Sequence, residues 1–138
     1  MRDIAYYNGT IGPIDEVTAP ITDRGFYFGD GVYDAAMVRN KKIFALDDHL
    51  NRFYNSLRLL RIAPPMPRED LAAVLNDLIC RLDSDEPHML YWQSTRAVAH
   101  RMHAFPPNAK ASLMAFSEPC ALDRHDKPYK LITVEDTR

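Results

Sequence analysis

Three stretches of this 138-residue sequence concentrate side chains that could do chemistry. The first runs Asp23-Arg24-Gly25-Phe26-Tyr27-Phe28-Gly29-Asp30-Gly31-Val32-Tyr33-Asp34. The second is Asp48-His49-Leu50-Asn51-Arg52-Phe53, and the third is Thr95-Arg96 followed after a short gap by Arg101-Met102-His103-Ala104-Phe105-Pro106. A guanidinium carries a fixed fork of donors that suits phosphate oxygens, and an arginine flanked by neutral donors can bind a carboxylate. Other chemistries find no support. His100 and His103 have no acidic or thiolate company nearby in sequence, and on a strand or loop positions i and i+3 do not face one site by default, so no metal is expected. Gly29-Asp30-Gly31 follows no long strand and opens no helix, which argues against a dinucleotide loop, and neither a Walker loop nor a nucleophilic triad is present.

These stretches need elements to position them. Ile4 to Tyr7 reads as a short strand, and Asn8-Gly9 as a tight turn into a second one. The glycines around Phe26-Tyr27-Phe28 suggest close backbone approach or positive φ rather than a regular strand. Val32 to Val38 alternates as a strand, with Tyr33, Ala35 and Met37 on one face, and Arg39-Asn40-Lys41 turns it into a partner strand over Lys42 to Leu46. Asp47-Asp48 reads as a helix start, where a short acidic side chain can cap free amides. Leu50, Phe53, Tyr54, Leu57 and Leu60 follow at helical spacing, and Pro64-Pro65-Met66-Pro67 stops that helix. A second helix from Arg68 carries the stripe Leu71, Val74, Leu75, Leu78, Ile79 and Leu82. Strands are expected over His88 to Arg96, Ser112 to Ser117 and Lys130 to Val134. Strands with two adjacent helices after a hairpin predict an α+β fold, a two-layer sandwich of a mostly antiparallel sheet and helices.

The composition is that of an ordinary globule: 46% hydrophobic residues, 26% charged residues and a net charge of −2. Nothing in it resembles the basic footprint of a nucleic-acid-binding domain, and anionic membrane surfaces are equally poor partners. The N-terminus lacks the layout of a secretory signal, and no apolar run approaches the roughly 18 residues that span a bilayer. Cys80 and Cys120 are too far apart for a zinc knuckle or redox pair and read as reduced thiols of a cytoplasmic protein, with Cys80 in the core and Cys120 in a loop.

Taken in order and with nearly matching gaps, the three stretches resemble the fold-type IV pyridoxal phosphate enzymes, a family that includes D-amino acid transaminases, branched-chain transaminases and aminodeoxychorismate lyases. The first stretch resembles the family's D-R-G-x-x-F-G-D-G-x-[YF] signature. His49 to Arg52 resembles the H-x-x-R helix whose arginine grips the cofactor phosphate. Arg101-Met102-His103, with Phe105-Pro106 behind, is similar to the carboxylate trap of the D-amino acid transaminases in particular. The resemblance implies that pyridoxal 5′-phosphate is the cofactor, that Arg52 holds its phosphate, and that Tyr33, Arg101 and His103 hold the substrate carboxylate, with Ala35 lining the same pocket. It implies amino acid and 2-oxo acid substrates and a homodimer, because in the family the trap arginine and histidine reach across from the partner subunit.

In these enzymes a lysine forms the Schiff base with the cofactor and shuttles the α-proton. By the resemblance it falls beyond Arg138, since Lys41, Lys42, Lys110, Lys127 and Lys130 all lack the matching context. The expected organisation is therefore an N-terminal α+β domain over 1–118, a linker over 119–128, and over 129–138 the first strand of a truncated cofactor-binding domain. The resemblance implies a D-alanine-like amino transfer for the longer parent and no activity for this chain alone. Two alternatives remain: a branched-chain aminotransferase or aminodeoxychorismate lyase of the same fold, and a non-catalytic stand-alone module. The unfinished last strand argues against the module, because it would leave an exposed edge.

Overall fold

The computed structural model describes residues 2–120 and 128–137. Nine elements follow in chain order: β1 (Ile4–Tyr7), β2 (Thr10–Gly12), α1 (Arg24–Phe28), β3 (Gly31–Arg39), β4 (Lys42–Ile43), α2 (Leu46–Leu59), α3 (Arg68–Cys80), β5 (His88–Thr95) and β6 (Ser112–Pro119). The strands form one sheet in the order β2-β1-β6-β5-β3-β4, every pair antiparallel. The expected α+β architecture is the one observed.

Both hairpin turns place consecutive residues at positive φ, Asn8 and Gly9 in one, Asn40 and Lys41 in the other. That is the type I′ pattern, whose twist matches the flanking strands. The β3–β4 hairpin is shorter than expected. Ala45 adopts a left-handed conformation and opens α2 at Leu46, so the partner strand ends at Ile43. Asp47 and Asp48 make no side-chain cap; they lie in the first turn, where their charge favours the positive end of the helix dipole. At its other end α2 stops well before the prolines. Arg61 takes a left-handed conformation, its amide bonds to Arg58 O and the Ile62 amide to Leu57 O, closing the helix in a Schellman motif. Leu60, expected on the apolar stripe, is the C-cap residue inside this closure and is exposed.

Alternation in the strands divides the sheet into two faces. Val32, Ala36, Val38, Leu90 and Trp92 point to the side covered by Leu50, Phe53 and Leu57 of α2 and Leu71, Leu75, Leu78 and Ile79 of α3. Trp92 and Phe53 meet edge to face at 6.2 Å in the middle of this core. Burying each of these rings contributes about 2 kcal/mol, and their geometry adds a smaller increment. Tyr33, Ala35, Met37, Tyr91, Gln93, Met114 and Phe116 occupy the other face, which neither α2 nor α3 covers and which α1 meets beside Gln93 and Thr95.

Two expectations are corrected. Cys80 is exposed rather than in the core, because it terminates α3 one position off the stripe of Leu71, Leu75 and Leu78. Residues 128–137 are exposed and form no ladder, so the strand expected over 130–134 is absent among the described residues. A strand exists only through hydrogen bonds to a neighbour, and apolar alternation alone supplies none. Most of the expected linker, residues 121–127, lies outside the described residues.

Candidate active site

Asp34 is the least expected member of the site. The alternation of β3 turns it toward the helices, between Val32 and Ala36, and its side chain is wholly inaccessible. A buried carboxylate must be hydrogen-bonded or paired, and α2 provides the partners. His49 and Arg52, at i and i+3 on one face of the helix, both reach it. Arg52 donates to Asp34 Oδ2 through Nε at 2.8 Å and to Oδ1 through Nη2. His49 Nδ1 lies 2.8 Å from Oδ1, and because a carboxylate only accepts, Nδ1 carries the hydrogen. The Ala35 amide also donates to Oδ1. Burial by itself would raise the carboxyl pKa. The bonds from Arg52, His49 and Ala35, with the Arg52 charge, outweigh it and hold the group below the usual carboxylate range. Reciprocally, the bond to Asp34 favours the Arg52 cation.

The consequence for Arg52 is orientation. Two of its nitrogens are tied to Asp34, its side chain is 66% exposed, and Nη1 has no hydrogen-bond partner among the described residues. A charged fork so held, with donors left over at the surface, suits a phosphate. Tyr33 lies on the opposite face of β3 from Asp34 and is exposed. Its ring is stacked on Tyr91 at 5.4 Å, and Tyr91 stacks in turn on Phe116 at 5.2 Å. Beside this aromatic row lies an open cavity of about 420 Å³, lined by Tyr7, Phe26, Tyr91, Gln93, Met114 and Phe116. The Tyr91 hydroxyl donates to Gln93 Oε1 at 2.7 Å, and burial, with the nearby Tyr33, raises its pKa. Ala35 shares this face with Tyr33, as the strand period requires.

Arg101 and His103 belong to the loop between β5 and β6, and both are exposed. Phe28 of α1 gathers them: its ring centre lies 5.3 Å from the Arg101 guanidinium and 5.7 Å from the His103 ring. The structure therefore brings Arg101 together with His103 on one loop, with Arg52 standing on α2 and Tyr33 on β3.

Beneath this loop lies a second polar cluster, built from the glycine-rich signature. Asp23 caps α1 through the Gly25 amide, and Gly29 closes it at φ +58°. A Cβ on Gly25 would meet Thr95 Cγ2 at 2.8 Å, and one on Gly31 would meet Ser94 O at 2.7 Å, so both glycines are sites of close approach. Asp30 accepts from Arg24 Nε at 2.7 Å and from Arg96 Nε at 2.9 Å. Burial pushes the Asp30 carboxyl up, but the two guanidinium groups lower it further than burial raises it. Sequence reasoning assigned no role to Asp34, His49, Arg24, Asp30 or Arg96. A signal existed for Asp34: an acidic residue at a core-facing position of an alternating strand must have a partner nearby. Among the described residues no group of three or more His, Cys, Asp or Glu side chains could hold a metal.

The profile of the class IV amino-transferases matches residues 31–138. The chain is 31% identical to the D-alanine aminotransferase of Staphylococcus haemolyticus over 141 aligned residues, covering 96% of this chain and 48% of that protein. The D-alanine aminotransferase of Listeria monocytogenes is 30% identical, with 90% of this chain and 44% of that protein covered. In fold, the chain is similar to the branched-chain amino acid aminotransferase of Escherichia coli, with a TM-score of 0.78 at 13% identity, over 87% of this chain and 42% of that one. This chain belongs to the class IV aminotransferases, a family that uses pyridoxal phosphate. It spans about half the length of the curated relatives it matches.

Proposed function

We propose that the whole protein moves an amino group from a D-amino acid, D-alanine-like, to a 2-oxo acid, and that this chain contributes the phosphate and carboxylate contacts. The observation that carries the reading is the pair Arg101 and His103, displayed side by side on a loop of a chain that is about 30% identical to D-alanine aminotransferases. In this reading Arg52, oriented by Asp34, binds the phosphate of pyridoxal phosphate through its outward donors. Tyr33, Arg101 and His103 bind the substrate α-carboxylate, the last two from the partner subunit of a homodimer. Ala35 leaves space beside Tyr33 on the same face. Bound pyridoxal phosphate supplies an electron sink for loss of the α-hydrogen. The residues of this chain hold the two anionic ends of the reactants, so that the α-carbon is presented in one orientation. The lysine that carries the cofactor and moves the α-proton is assigned to chain beyond Arg138, in a second domain that begins near residue 129. In the same reading the whole protein works in the cytoplasm.

Turnover of D-alanine, L-leucine and aminodeoxychorismate by the full-length protein tests the substrate assignment. D-alanine should be used with the highest kcat/KM; a preference for either of the others would overturn it. The 138-residue chain mixed with pyridoxal phosphate should neither acquire the visible absorbance of a bound cofactor nor turn over D-alanine. Either result would refute the incomplete-site reading.

A further inference from the structure

Between Arg96 and Ser112 the chain makes no strand, and its one bridge is Asp23 to Val98. Residues 101–105 are all exposed, yet their backbone is held from below by charged side chains that are themselves buried. Arg24 is 2% and Arg96 7% exposed. Arg24 Nη1 donates to Met102 O at 2.9 Å and more weakly to Ala104 O at 3.5 Å, the two carbonyls that flank His103. Its guanidinium lies 4.6 Å from the Phe28 ring that also contacts Arg101 and His103. Asp30 fixes Arg24 and, with its other bonds, Arg96, whose guanidinium sits 3.7 Å from the ring of Phe105. Arg96 then donates to Arg61 O at 2.8 Å and Leu60 O at 3.0 Å, the end of the helix that carries Arg52. One carboxylate thus joins two buried arginines, one reaching the Arg101 and His103 loop and the other the end of α2.

The support lies beneath, and the loop's own side chains stay outside. We infer that Arg24, held by Asp30, is a positioning residue for substrate-carboxylate binding: by pinning the carbonyls on either side of His103 it sets how Arg101 and His103 are presented. Arg96, against the Phe105 ring, ties the same loop to the end of α2. This rests on the reading of Arg101 and His103 as the carboxylate site.

The test uses the full-length protein with D-alanine as substrate and propionate as an unreactive carboxylate ligand, the latter measured by calorimetry. Arg24→Lys keeps the charge and the Asp30 partner, but a single ammonium cannot span Asp30 and the loop carbonyls. The expected result is a rise of about tenfold in both the D-alanine KM and the propionate Kd, with kcat changed less than about threefold and the pyridoxal phosphate Kd unchanged. Arg101→Ala is the reference and should raise both constants at least as far. If Arg101→Ala raises them and Arg24→Lys does not, the positioning role is overturned while the site stands. If Arg101→Ala changes neither, the carboxylate reading itself fails. Should Arg24→Lys not fold, Phe105→Leu on an exposed ring replaces it: a rise of about threefold in the propionate Kd supports the role, and an unchanged value overturns it.

Discussion

Two regions of the molecule present an exposed arginine, and they hold it by different means. Arg52 stands on a regular helix, and one buried carboxylate on the neighbouring strand fixes its direction. Arg101 stands on a loop without a ladder, and the loop's shape is set by two other arginines that never reach the surface. Burial sorts the arginines: Arg24 and Arg96 lie inside, whereas Arg52 and Arg101 stand outside, where the proposed function has them bind. A helix brings most of its own rigidity, so a single partner suffices. A loop has to borrow rigidity from side chains beneath it, and the cost is two buried cations sharing one carboxylate.

The sharpest way to break this comparison is to remove the two carboxylates in turn. Asp30→Ala leaves two buried guanidinium groups without their counter-ion and should cost about 3 kcal/mol or more, read from the denaturant midpoint. Asp34→Ala should cost clearly less, because the Arg52 side chain is already exposed and can turn to water. Equal losses would show that the helix side depends on its carboxylate as much as the loop side does. Gly31→Ala tests the packing of the signature stretch: a Cβ would stand 2.7 Å from a backbone oxygen that cannot move aside, for a loss of about 2 kcal/mol in the same measurement.

Asp34→Asn addresses function on the helix side. It removes the charge that orients Arg52 and should weaken the full-length protein's affinity for pyridoxal phosphate about tenfold, measured by titration of the cofactor's absorbance. The same variant carries a pH signature. Both Asp30 and Asp34 have native pKa values below the ordinary one, so near and below about pH 4 the unfolded chain takes up protons that the native state refuses. Their stabilisation is complete at neutral pH and is lost as pH falls toward the native values. Urea midpoints measured between neutral and acid pH should therefore fall more gently for Asp34→Asn than for the unaltered protein. The smallest effect expected is a gain. Arg61 occupies a left-handed position at the end of α2, and Arg61→Gly should stabilise by about 0.5–1 kcal/mol, leaving intact the carbonyl that accepts from Arg96.

Much of the fold was legible because its signals are local. Asn8-Gly9 specifies its turn by residue type, the alternation of Val32 to Val38 specifies which residues share a face, and the stripe from Leu71 to Leu82 specifies a helix with one buried side. What misled were positions where a tertiary partner or a backbone conformation decides. Ala45 and Arg61 carry no sequence mark of their left-handed geometry, yet they set where β4 ends, where α2 begins and where it stops. Cys80 follows the apolar stripe closely enough to suggest burial, but lies at the helix end and off its axis of contact. Lys130 to Val134 has the residue types of a strand and no neighbour to pair with among the described residues.

The site divides in the same way. Residue type and order by themselves determined which side chains are proposed to bear on the chemistry, Tyr33, Arg52, Arg101 and His103 among them, because a guanidinium fork suits an anion and family spacing marks its place. They also determined the sheet face on which Tyr33 and Ala35 stand. Only the tertiary structure decided what steadies those side chains: Asp34 under Arg52, and Asp30 with Arg24 and Arg96 under the loop. The physical reason is that these bonds join residues far apart in sequence, as Arg24 to Met102 does, and a hydrogen bond leaves no periodic trace along the chain that makes it.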